Sequence, residues 1–108
     1  MSRVVAYVPD LMDRSRLGGV AGLVFVATPE DLVAAAATAE VVVVDLSRPG
    51  VLDVLGRLGP VRTVGFASHV DTDLLAAATR AGCGEVLPRS RFFARPGELL
   101  AAEGPRGL

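Results

Sequence analysis

Four valines in a row, Val41–Val44, run straight into an acid, Asp45, and a loop carrying Pro49 and Gly50 follows. β-Branched side chains are stiff and suit extended backbone. A strand with no polar alternation has no face to offer to water, so it belongs in a sheet covered by helices on both sides, the setting of parallel strands. Parallel neighbours need long crossovers, most simply helices.

The rest of the chain supplies those crossovers. "RVVAYV" (3–8) is a short β-branched run closed by Pro9, and "DLMDRSRLGGV" reads as a helix with Asp10 as its N-cap. "GLVFVA" (22–27) is the second strand. Thr28, with Pro29 at the first helical position and Asp31 at the third, starts a helix over "PEDLVAAAATA". After the valine strand, "VLDVLGRLG" makes barely two helical turns. "VRTVGFA" is strand four, and "DTDLLAAATRAG" is a helix capped by Asp71 or Thr72 with Gly82 past its end. "GEVLP" is strand five, and "RFFARPGELLA" holds the last helix, with Pro96 at its first turn. Five strands each followed by a helix imply an α/β fold with right-handed crossovers. The Ala-rich helices at 32–39 and 74–81 pack closely on the sheet or admit a neighbouring subunit's helix; the residues do not decide between these.

A length of 108 residues fits one domain, expected over 1–102, with 103–108 as a flexible tail. Apolar residues make up 51% of the chain, enough to fill a core. A net charge of −1 gives no electrostatic footprint for nucleic acid. The apolar stretches fall short of the roughly 20 residues that span a bilayer, and early charges argue against a secretory signal, so a cytoplasmic, non-membrane protein is expected. One cysteine, Cys83, excludes an internal disulfide and a cysteine-cluster metal site, and packing is its expected role. No phosphate-cradling glycine motif follows a strand, and "GGVAG" (18–22) reads as a helix end, so no enzyme is expected.

In open parallel sheets, functional groups gather beyond the carboxyl ends of the strands. Asp10, Asp45, Ser68 and Arg89 each follow an expected strand and so face one crevice. Each has a plainer reading beside the functional one. Asp10 is equally an N-cap, Asp45 a partner for loop amides, and Ser68 the start of the turn to Asp71. His69, the one histidine, reads as a solvated loop residue.

"VVVVDLSRPG" and "AGCGEVLPR" together resemble two segments of a response-regulator receiver domain, the phospho-accepting module of two-component signalling. The resemblance spans roughly residues 3–101. It implies a doubly wound, three-layer α/β/α domain of flavodoxin-like topology, with a five-stranded parallel sheet in the order 2-1-3-4-5. It also implies Asp45 as phospho-acceptor, and Mg²⁺ held by Asp45, by an acidic pair after strand one and by the carbonyl of Ser47. A hydroxyl after strand four and a lysine after strand five would bind the phosphoryl group.

The sequence departs from that pattern at three places. The acidic pair reads Pro9-Asp10, leaving one carboxylate. The hydroxyl position falls on Ala67, with Ser68 one residue later. The lysine position holds Arg89, which prefers bidentate partners. The expected function is therefore that of a stand-alone pseudo-receiver, a regulatory or adaptor module that binds protein partners without efficient phosphotransfer. An arginine–aspartate pair between Arg89 and Asp45 is the expected lock. No cofactor is expected, and Mg²⁺, on Asp10, Asp45 and Ser47, enters only with the alternative of an active acceptor using Asp45, Ser68 and Arg89. A further alternative is a STAS-like anti-sigma-antagonist domain, for which "VVVVDLS" would precede a regulatory helix. Arg89, Arg91, Phe92, Phe93 and Arg95 form the expected partner surface, with one phenylalanine exposed as an anchor. A homodimer through that surface is among the expected assemblies.

Overall fold

The computed structural model describes residues 3–101; the expected flexible tail at 103–108 lies outside the described residues. Two strands are buried at every residue, β1 (Val4–Tyr7) and β3 (Val41–Asp45), and they pair in parallel with Val4 opposite Val41 and Tyr7 opposite Val44. Around them the sheet adds β2 (Leu23–Phe25), β4 (Arg62–Ala67) and β5 (Glu85–Pro88), giving five parallel strands in the order β2-β1-β3-β4-β5. This is the expected flavodoxin-like order. β1 is interior and parallel to both neighbours, which separates the topology from that of a STAS domain.

The valine run buries both of its faces. Val42 and Val44 pack with Val5, Tyr7, Leu32, Val51 and Leu55 in one core layer, while Val41 and Val43 pack with Val4, Ala6, Leu17, Phe66, Phe92 and Leu100 in the other. The first layer lies under α2 (Pro29–Ala36), α3 (Val51–Val54), a 3₁₀ turn at Leu55–Arg57 and α4 (Thr72–Arg80). The second lies under α1 (Leu11–Arg16), α5 (Arg89–Ala94) and α6 (Pro96–Ala101).

Local signals set most boundaries. The Asp13 amide donates to Asp10 Oδ1 at 3.0 Å, and the Asp31 amide to Thr28 Oγ1 at 3.0 Å, so both expected N-caps close their helices. Asp71 stands at the N-cap of α4 but makes no side-chain capping bond. The expected single C-terminal helix is two. Arg95 leaves the helical region, with φ −149° and ψ 66°, because the ring of Pro96 crowds a helical conformation in the residue before it. β2 is shorter than expected at both ends, in keeping with its place at the sheet edge.

One glycine fixes the geometry beneath the crevice. A Cβ on Gly65 of β4 would lie 2.7 Å from Leu46 Cδ2 and 3.0 Å from Cys83 Sγ. Leu46 follows Asp45 directly and is itself buried, so the chain leaving β3 can turn down onto the sheet only over a residue with no side chain. At the opposite end of the sheet, Arg62 binds Glu85 through Nε at 2.7 Å and Nη2 at 3.0 Å, and its Nη2 also donates to the Leu99 carbonyl at 3.1 Å. That clamp ties β4, β5 and α6 together.

Candidate functional site

Asp45 ends β3 with 2% of its surface exposed. A carboxylate so placed must be compensated, and its own loop does this. Oδ1 accepts from the Ser47 amide at 3.0 Å and from the Ser47 hydroxyl at 2.6 Å, and Oδ2 faces Arg48 Nε at 3.4 Å. Gly50, at φ +82°, lets that loop turn into α3. The plainer sequence reading placed the partners of Asp45 among loop amides after Pro49 and Gly50; they lie earlier in the loop, and only one of them is an amide.

A second acid is buried beside it. Asp13, on α1, is 4% exposed and takes a bond from Arg89 Nη2 at 2.5 Å. The expected Arg89–Asp45 pair is thus corrected: Arg89 pairs with Asp13. Its guanidinium also lies over two aromatic rings, 5.3 Å from the Phe66 centroid and 5.2 Å from that of Phe93. It is thus held between α1, β4 and α5, and its one contact on α1 is to a residue whose carboxylate takes no other side-chain hydrogen bond among the described residues. The bond from Asp13 raises the Arg89 pKa, with the nearby charges of Asp45 and Asp10 adding to it.

Sequence reasoning missed Asp13, which it treated only as a charge near the N-terminus. A signal was present. Asp13 and Leu17 are four apart on one helix face, and Leu17 is fully buried, while Leu11 and Met12 are 76% and 72% exposed. The face of α1 that looks apolar in sequence is therefore outside, and an acid is inside.

Asp10 is exposed at the mouth and spends Oδ1 on capping α1; that backbone bond to Asp13 holds its carboxyl below the usual range, with Arg48 and Arg89 contributing. Ser68 accepts a 3.4 Å bond from the Val70 amide, and its carbonyl accepts from the Asp71 amide, so it shapes the turn before α4. Ala67 is buried at the end of β4, and His69 is exposed. The structure thus brings Asp10, Asp13, Asp45, Arg48 and Arg89 to one end of the sheet, and it joins Ser68 to none of them by a hydrogen bond among the described residues. Among those residues no group of three or more His, Cys, Asp or Glu side chains is arranged to hold a metal.

The expected exposed phenylalanine is also corrected. Phe92 is fully buried, stacked on Phe66 at 4.7 Å, and Phe93 is half-buried, meeting both rings edge-on at 5.0 and 4.8 Å. Short α5 splits the pair between the core and its margin, where Arg16 and Arg89 cover the Phe93 ring. Arg91 and Arg95 are exposed, and Arg95 reaches Glu98 at 3.5 Å. A separate groove of about 270 Å³ opens near the amino ends of β1 and β2, lined by Val4, Val20, Gly22, Gly97 and Leu100. No described helix is long and apolar enough to cross a membrane.

Comparison with known proteins agrees with the topology. No protein-family model matches the chain, and no curated protein matches it. Among solved structures, the crystal structure of a CheY-like response regulator from Mesorhizobium loti superposes with a TM-score of 0.55 over 82% of this chain and 86% of that one, at 15% identity. That likeness establishes a receiver-like fold, and the chemistry rests on the side chains described above.

Proposed function

We propose that this receiver-like chain is a regulatory or adaptor module that works by binding protein partners, with its phosphate site closed on itself. The carrying observation is the Arg89–Asp13 pair: the cation in the lysine position is turned to α1 and held there by an acid and two aromatic rings. Asp45 supports the same reading, because its two oxygens are already met by Ser47 and Arg48. With Ala67 apolar and Ser68 engaged in a turn, no hydroxyl bonds to Asp45 from the β4 loop.

The residues at the mouth do not fit Mg²⁺ as they stand. Such a site needs carboxylate oxygens facing a common open position. Asp45 and Asp13 are each paired with a guanidinium, and Asp10 is the cap of α1. The partner surface is proposed on the α5 side, with Arg91 and Arg95 as its charged contacts and a second copy of the chain among its candidates; Phe92 drops out of it because it is core. A cytoplasmic location belongs to this same reading.

An amide NMR titration with Mg²⁺ and then beryllofluoride, a mimic of the phosphoryl group on aspartate, tests the proposal. The expected result is no saturable shift at Asp45, Ala67–His69 or Arg89. Saturable shifts there would overturn the closed-site reading in favour of an active acceptor.

A further inference from the structure

The loop after β3 contains a second group with the makings of a nucleophile. Ser47 is exposed, its Oγ lies 2.6 Å from Asp45 Oδ1, and Asp45 is held from its other side by Arg48 Nε. A hydroxyl within hydrogen-bond reach of a base, with that base oriented by a third group, is the arrangement that activates a serine. The Ser47 amide donates to the same Oδ1 at 3.0 Å and fixes the pair. Accessibility separates the two oxygen nucleophiles. Asp45 is buried with both oxygens engaged, whereas Ser47 faces solvent. The side chain of Arg48, next to Ser47 in the loop and 37% exposed, would offset the charge of an arriving phosphoryl group.

We infer that Ser47 is a modification site, and that its hydroxyl, with Asp45 as general base, takes a phosphoryl group from an acyl phosphate. The Ser47 Oγ–P bond forms as the bond from phosphorus to the acyl oxygen breaks. The carboxylate leaves with the bonding pair, and the hydroxyl proton passes to Asp45 Oδ1. The product is a phosphate ester, stable where an aspartyl phosphate is not, so the loop would carry a lasting mark. This inference goes beyond partner binding and does not depend on it.

The test is incubation of the full chain with acetyl phosphate and Mg²⁺, followed by tandem mass spectrometry and hydroxylamine treatment. A hydroxylamine-resistant label on Ser47, absent from Ser47→Ala, is expected. Asp45→Asn, with its fold checked by circular dichroism, should slow labelling by about 100-fold, the low end for loss of a general base. A hydroxylamine-labile label on Asp45 would overturn this inference and the closed-site proposal together. No label at all would overturn this inference alone. Labelling of Asp45→Asn at the parent rate would remove the base from the mechanism and overturn it as stated.

Discussion

Two buried acids sit a few residues from the mouth of the crevice, and each is compensated differently. Asp45 is satisfied by its own loop, within three residues of sequence, whereas Asp13 is satisfied by Arg89 from 76 residues away. Removing a distant partner leaves a buried charge with nothing to replace it, and a fully buried pair broken in this way costs roughly 3–5 kcal/mol. Arg89 is more than one-third exposed, so water screens part of that loss and Arg89→Ala is expected to cost about 2 kcal/mol. Urea unfolding of Arg89→Ala against the parent chain measures it, and an unchanged midpoint would show that water alone can satisfy Asp13. The place of Asp45 at the end of β3 was readable from the valine run before it, whereas its partners Ser47 and Arg48 were not. Nor was the Arg89 partner, because a one-dimensional pattern ranks Leu11 and Met12 as more suited to the interior than Asp13. What reverses that order is a cation at the first position of α5, directly after the edge strand β5.

Elements were more legible than contacts. The valine run of β3 announced a strand covered on both faces, and Thr28 with Pro29 announced the start of α2, since each signal acts through adjacent backbone. The break between α5 and α6 was written in Arg95-Pro96 but read as a late helix start, because the extent of the preceding Arg89–Ala94 turn depends on Phe92 reaching Phe66 in the core. β4 carries the most demanding element-level constraint. Gly65 has no room for a methyl group between Leu46 and Cys83, and both of those side chains are themselves enclosed. Gly65→Ala should therefore overpack the junction of β3 and β4 at a cost of about 1–3 kcal/mol, read as a lowered denaturation midpoint. Because Leu46 anchors the residue after Asp45, the same change should perturb the Asp45 and Ser47 amide resonances. Resonances that stay in place would mean that the neighbours yield without moving the loop.

For the molecule as a whole, Cys83 reports on the integrity of the fold. It is 4% exposed, and burial pushes its thiol up to about 11 from an ordinary 9.0. A raised value means that the folded state holds its proton longer than the unfolded chain does. The corresponding stability is complete below 9.0 and is lost as pH rises toward about 11, so the denaturation midpoint should fall across that window and fall less in Cys83→Ala. Near neutral pH, alkylation of Cys83 should follow the population of opened molecules, not the exposure of a surface thiol. Fast modification without unfolding would contradict its enclosed position under Gly65. The Arg89–Asp13 pair has a further consequence, one of timing. As the chain is made from its amino end, α1 is complete before the cation that its buried acid requires, 76 residues further on, is added. Until then Asp13 lacks the partner that compensates its burial, so α1 is expected to dock on the sheet only once Arg89 is in place.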